Sequence, residues 1–226
     1  MIQIKNPPDS DLCNVMFQYA FGFTTARRLG TSFCMSRLRD YSAYGLDSLF
    51  ELGGDTSAAN ALRKLRFKLA SLMRRPVEKR WLDFNDGRYA SPEKVLADLS
   101  DHAFYRGYFQ SSRYFTGCET EVKNLFRVKE PLRHRFERRY ADYLRGAPLG
   151  ILHLRGKFHG AWERVRLPWS YFENCLERVP DRENYRWLVL TDDVDYVRHN
   201  FPEACKMEIA SGEVIDDFQL MSRATI

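Results

Sequence analysis

Two side chains within one short stretch have the types and spacing for phosphate chemistry. In Pro148-Leu-Gly-Ile-Leu-His-Leu-Arg-Gly-Lys-Phe-His-Gly160, Arg155 follows His153 by two residues, at the end of an apolar run entered through Pro148 and Gly150 and left through Arg155, Gly156 and Lys157. Such a run reads as a buried parallel strand with a cationic loop at its carboxyl end, the edge at which open α/β sheets bind ligands. Strand residues two apart point the same way, so His153 and Arg155 are expected to face one side together. A guanidinium held there suits a diphosphate, because it keeps its charge and offers paired N–H donors in a fixed fork, while the imidazole can orient or share a proton. The other reading of the same stretch is a surface arginine beside a satisfied core histidine.

The elements that must position these groups begin at the amino terminus. Gln3 and Ile4 start a β-like segment that stops at Pro7-Pro8, and Asp9-Ser10-Asp11 supplies turn and capping residues for a helix. Met16, Phe17, Ala20, Phe21, Phe23 and Thr24 fill one broad apolar side of that helix, and Gly30 after Arg27-Arg28 marks its end. Strand, tight loop and helix place free backbone N–H groups near Cys13 and Asn14, favourable to phosphate or sugar oxygens; an asparagine there also serves simply as a cap. Later, Leu132 to Arg145 reads as a core-packing helix through Leu132, Phe136, Tyr140, Tyr143 and Leu144, and Ala147-Pro148 after it is the expected domain boundary.

Composition limits the function classes. With 226 residues, 44% hydrophobic and 14% aromatic, the chain suffices for one large domain or two small ones with a real core. No basic segment leads into a long apolar core and no run reaches about eighteen apolar residues, so neither a signal peptide nor a membrane span is expected. Five scattered cysteines without a C-x-x-C pair point to a reduced cytoplasm without structural zinc. The net charge of +5 is concentrated: Arg63, Lys64, Arg66, Lys68, Arg74, Arg75, Lys79 and Arg80 face a single acid, Glu78, between residues 58 and 80. Leu62, Leu65, Leu69 and Leu72 give this segment a helical apolar stripe, hence an amphipathic helix with a cationic outer face, either merely solvated or docked on anionic lipid head groups or an anionic acceptor. No nucleic-acid-binding signature accompanies the charge, so no nucleic-acid partner is expected.

The wording of the chain then becomes specific. Leu12-Cys-Asn-Val-Met-Phe-Gln-Tyr-Ala-Phe-Gly22, with Ala26-Arg-Arg-Leu-Gly30, resembles the opening motif G-G-L-G-N-Q-M-F-Q-Y-A-x-G of the bacterial alpha-1,2-fucosyltransferases. Gly107-Tyr-Phe-Gln-Ser-Ser-Arg-Tyr-Phe115 resembles their G-Y-F-Q-S-x-x-Y-F block, and Leu149 to Arg155 the strand leading into H-x-R-R-G-D. Leu167-Pro-Trp-Ser-Tyr-Phe172 resembles the L-x-x-x-Y-Y helix start, Trp187 to Phe201 the segment around F-S-D-D, and Asp217-Phe-Gln-Leu-Met-Ser222 the D-L-x-L-M-S helix. These blocks keep the family's order and cover most of the chain, the weakest match lying between Ser36 and Phe104.

The resemblance implies an α/β fold of the GT-B type: two Rossmann-like domains with parallel sheets, 1–146 on the acceptor side and 147–226 on the GDP-fucose side, the second incomplete because the family continues beyond Ile226 into an N-S-T/S-F-S-W-W stretch. It implies inverting, metal-independent transfer of L-fucose from GDP-fucose, with no other cofactor, to a sugar hydroxyl of a glycan. By matched motif, Arg155 and His153 are the catalytic candidates; Arg155, Lys157, Thr191, Asp192 and Asp193 the donor-binding ones; Asn14, Gln18 and Gln110 would line the cleft. Thr191-Asp192-Asp193 can also cap the helix that follows. The chain departs from the pattern at Gly156, where the second arginine belongs, at Lys157-Phe158, which replace Gly-Asp, and in its opening loop, which is not glycine-rich. No general base is assigned. The competing expectation is a non-catalytic homologue that keeps the scaffold and sits on anionic membrane or glycan through the basic 58–80 helix; either way the place expected is the cytoplasm, extending to the inner membrane face.

Overall fold

The computed structural model describes residues 1–7, 10–38, 45–80, 91–156, 167–201, 204, 207–210 and 213–226. The chain divides into two compact units, Met1–Lys129 and Glu130–Ile226, each built on an all-parallel sheet.

In the first unit, β1 (Ile2–Lys5), β2 (Phe33–Met35), β3 (Val77–Arg80) and β4 (Ala103–Arg106) lie in the order β2-β1-β4-β3. Ile2 and Ile4 alternate into the core, as a half-covered strand requires. The tight loop after β1 leads into α1 (Leu12–Arg28), capped by the Asp11 carboxylate on the Asn14 N–H at 3.0 Å. Gly22 lets α1 settle on the sheet: a Cβ there would stand 2.6 Å from the Phe33 ring and 2.9 Å from Ile4. Past the end of α1, Gly30 takes the left-handed conformation expected of a helix stop (φ 58°).

The basic segment behaves differently from expectation in two ways. After α2 (Leu46–Leu49), helix α3 runs only from Ser57 to Met73, and residues 77–80 form the edge strand β3. Pro76 explains the stop, since proline lacks a ladder donor and drives the preceding residue into extended conformation. More consequentially, Leu62, Leu65, Leu69 and Leu72 face outward, and the buried side chains of α3 are Asn60 and Phe67. The reason is polar. The Asn60 amide accepts from the Met35 N–H (2.8 Å) and donates to the Met35 carbonyl (3.0 Å), supplying the strand partner that β2 lacks on its outer edge. Arg63 is drawn to Asp55 (2.6 Å), which also accepts from the Tyr19 hydroxyl (2.9 Å), and Lys64 donates to the Ser36 carbonyl (3.0 Å). These contacts fix the rotation of the helix. The unit is completed by α4 (Pro92–Ala97) and α5 (Glu119–Leu125).

The second unit holds β5 (Leu149–Leu154), β6 (Arg186–Thr191) and β7 (Glu208–Ala210), in that order across the sheet. Both faces are covered. Leu152, Leu154 and Val189 pack with Leu176 of α7 (Trp169–Glu177), Val197 of α8 (Val194–Asn200) and Phe201. On the other face Leu149, Leu188 and Leu190 pack with Phe136 of α6 (Glu130–Arg139), Tyr140 and Leu220 of α9 (Val214–Arg223). Helix α6 therefore belongs to this core as expected in kind, but the break falls before it, at Lys129–Glu130, and not at Ala147–Pro148. After α9, the Thr225 N–H donates to the Leu149 carbonyl (2.8 Å) and the Ile226 carbonyl accepts from Ile151 (3.1 Å), so these residues run along the outer edge of β5.

Candidate functional site

β5 and β6 run parallel in register, Leu154 opposite Thr191, so the next residues, Arg155 and Asp192, leave the carboxyl edge side by side. Arg155 Nε lies 3.9 Å from Asp192 Oδ2, and the Gly156 N–H donates to Asp192 Oδ1 at 2.7 Å. One carboxylate thus fixes the turn out of β5 and faces its cation. The burial of β5 alternates at this end: His153 and Arg155 are exposed and Leu154 is buried between them, as the period-two reading expects. The Arg155 side chain keeps 56% of its surface in solvent.

Two of the other donor-side candidates are occupied by local structure. The Asp193 carboxylate caps α8 by accepting from the Tyr196 N–H (2.9 Å), and the Thr191 hydroxyl accepts from the Asp193 N–H (3.0 Å). The capping role is therefore real for Asp193, while Thr191 holds the turn that leads into the cap. Lys157 lies outside the described residues. Gly156 approaches this helix start so closely that a Cβ would stand 2.5 Å from Asp193 Cβ and 3.1 Å from the Tyr196 ring. The departure from the arginine pair is thus built into the packing of the turn.

Electrostatics at this edge favour a neutral imidazole. Partial burial beside the strand end holds His153 below its usual proton affinity, and the Arg155 charge lowers it further; Asp192 opposes both. A neutral His153 can take up a proton when an anion arrives beside it.

In the first unit the structure brings together two of the three cleft candidates and separates the third. Gln110 leaves the carboxyl end of β4 and donates through Nε2 to Asn14 Oδ1, at the start of α1. Since β1 and β4 are neighbours, both amides stand at the carboxyl edge of that sheet. The aromatics around Gln110 are core: Phe109 stacks on Phe21 with centroids 3.7 Å apart and Tyr114 meets both edge-on. Phe109 holds a left-handed φ of 53°, and Gly107 makes room for its ring. Gln18, expected to line a cleft, is instead fully buried. It donates to Ser10 Oγ (3.1 Å) and accepts from Asn6, whose Oδ1 in turn accepts from Ser36 Oγ (2.8 Å) and the Arg37 N–H (3.1 Å). Its work is to hold the β1–α1 loop.

Sequence reasoning missed the acidic start of α9. Asp216 is fully buried and paired with Arg135 (3.3 Å) and Arg139 (3.1 Å) of α6, while burial and the Asp216 charge push Asp217 up to about 6. The i, i+4 spacing of the two arginines was the available signal. Among the described residues no three His, Cys, Asp or Glu side chains gather where they could hold a metal ion, and no described helix is long and apolar enough to cross a membrane.

No family model matches the chain, and no curated protein matches it by sequence. Solved structures do. POFUT1 in complex with GDP matches with a TM-score of 0.59 at 12% identity, over 99% of this chain and 88% of that one. POFUT1 in complex with GDP-fucose matches with a TM-score of 0.51 at 12% identity, over 99% and 88%. The fucosyltransferase NodZ from Bradyrhizobium matches with a TM-score of 0.51 at 10% identity, over 99% and 82%. At such identities the likeness is one of fold, and the fold is GT-B-like, that of these fucosyltransferases, with two α/β units each on a parallel sheet.

Proposed function

We propose that this chain is a glycosyltransferase that moves L-fucose from GDP-fucose to a sugar hydroxyl, with inversion, without an obligatory metal, and with the alpha-1,2 linkage to a galactoside that its motifs resemble. The observation that carries the reading is Arg155 at the carboxyl edge of β5, its guanidinium 3.9 Å from the Asp192 carboxylate, in a chain whose fold is shared with proteins solved with GDP and GDP-fucose.

The chemistry follows from charge. As the fucosyl carbon parts from its phosphate oxygen, the sugar becomes cation-like and the β-phosphate gains negative charge. A fixed guanidinium aimed at that phosphate stabilises the transition state more than the ground state. Arg155 supplies this group, exchanging part of its attraction to Asp192 for the diphosphate, and His153 binds or orients the same phosphates as its proton affinity rises. Lys157 adds a cation without a bidentate fork. Asn14 and Gln110 present amide donors and acceptors suited to acceptor hydroxyls.

The test is GDP release from GDP-fucose with a galactoside acceptor, with the linkage read by NMR of the product. Arg155→Ala is expected to lower turnover by about 100-fold or more, Arg155→Lys to recover part of it, and a chelator to leave it unchanged. Turnover indifferent to Arg155 refutes the assignment. A product linked at another hydroxyl keeps the transferase and refutes the linkage.

A further inference from the structure

Helix α3 presents to solvent a face that its own unit does not cover. Leu62, Leu65, Leu69, Leu72 and Met73 are 51, 53, 55, 78 and 93% exposed. At helical spacing these five fall within about 100° of arc, opposite the buried Asn60 and Phe67. Arg66 and Lys68 border the stripe on its two sides, and Arg74 and Arg75 follow its end, all four exposed. The other cations of the segment are engaged: Arg63 with Asp55, Lys64 with the Ser36 carbonyl, Lys79 with Asp98 and Arg80 with Glu78. The four that flank the leucines have no ion-pair partner among the described residues, and α3 itself contains no acid.

We propose that α3 is an in-plane anchor that docks this protein on an anionic lipid bilayer. The choice of occupant rests on charge complementarity over the whole face. A second copy of the chain packed α3 on α3 would cover the leucines but set Arg66, Lys68, Arg74 and Arg75 against their own likes with no acid on either helix to relieve them. A polyanionic glycan would satisfy the cations and leave the leucines in water. Anionic head groups above an acyl layer take both sets of side chains at once, which is how a helix with an apolar stripe and basic borders lies in a membrane interface. Its charges and length make α3 unfit to cross the bilayer, so it lies along the surface. This anchoring is independent of the transferase reading.

The test is co-sedimentation of the full chain with vesicles of phosphatidylcholine alone and of equimolar phosphatidylcholine and phosphatidylglycerol. Binding is expected to the anionic vesicles and to be much weaker on the neutral ones. Combined Arg66→Glu, Lys68→Glu, Arg74→Glu and Arg75→Glu should weaken it by about 100-fold or more. Combined Leu65→Gln, Leu69→Gln and Leu72→Gln should weaken it by about tenfold or more, including at high salt where head-group attraction is screened. Both variants should keep the wild-type circular dichroism and melting temperature, since every altered side chain is exposed. Undiminished binding by the leucine variant overturns the proposal. So does a leucine-dependent dimer in light scattering without lipid, or binding to a soluble polyanion that matches binding to vesicles.

Discussion

The Gly156 N–H and the Asp192 carboxylate meet at 2.7 Å across the ends of β5 and β6. This bond ties the end of β5 to the residue that follows β6. It draws the glycine against the start of α8, where no side chain fits, and leaves the second oxygen of Asp192 facing Arg155 at 3.9 Å. A glycine in the place of an arginine is here a packing requirement.

Placing an arginine at position 156 should therefore harm the protein. Gly156→Arg, and even Gly156→Ala, must displace Asp193 Cβ, a backbone-near atom of the helix cap. The expected cost is about 1–3 kcal/mol, seen as a lower urea midpoint with no gain in GDP affinity. A Gly156→Arg variant of wild-type stability would show the turn to be loose.

His153 should report the diphosphate. Its affinity for protons is held down by partial burial and by Arg155, with Asp192 pulling the other way. An anion beside it reverses the balance, so the midpoint of the imidazole in an NMR titration should rise when GDP is added. In Asp192→Asn without ligand it should fall, because the Asp192 charge that raises it is gone. An upward move in that variant would contradict the arrangement.

Asp217 should make the second unit less stable as pH rises. Burial and Asp216 push its carboxyl from 3.8 up to about 6, so the folded state holds this proton more tightly than the unfolded chain does. The cost of ionising it is absent below the unfolded value and complete above the folded one. Asp217→Asn should raise stability by about 1–2 kcal/mol at about pH 8, discounted for the partial exposure of the group, and by only a small fraction of that at about pH 4, just above the unfolded value. Denaturant midpoints at the two pH values measure the difference.

Asn60 should behave as a strand partner and not as an ordinary helix residue. Asn60→Ala leaves both the N–H and the carbonyl of Met35 without their partner at a buried edge, and should cost about 2–4 kcal/mol. A loss below about 0.5 kcal/mol, the range of a neutral surface change, would show that the edge is satisfied in another way.

The elements that sequence revealed best were those whose local chemistry agrees with their burial. The strand 149–154, the helix start at Leu12 and the cap at Asp193 all follow from apolar runs, turn residues and side-chain oxygens that act within a few residues. Helix α3 misled because its leucine stripe is not its packing face: a buried asparagine and the Asp55–Arg63 pair set its rotation, and neither contact has a periodic signature. Gln18 sat in a matched motif, yet its amide ties Asn6 to Ser10 inside the protein. The division before α6 was hidden for a similar reason, since Ala147-Pro148 looks like a linker while Phe136 and Tyr140 reach forward to the strands that follow. At the candidate site, sequence gave the pairing of His153 with Arg155; the clamp by Asp192 needed the register of β5 on β6.

The most direct test of the central claim, that the Arg155 guanidinium meets the diphosphate of a sugar nucleotide, is calorimetric titration of wild type and Arg155→Ala with GDP and with guanosine. Removing a charge-assisted donor from the phosphates should weaken GDP by about 10- to 100-fold and leave guanosine, which has no phosphate, as it was. Equal affinity of both proteins for GDP, or an equal loss for GDP and guanosine, would contradict it.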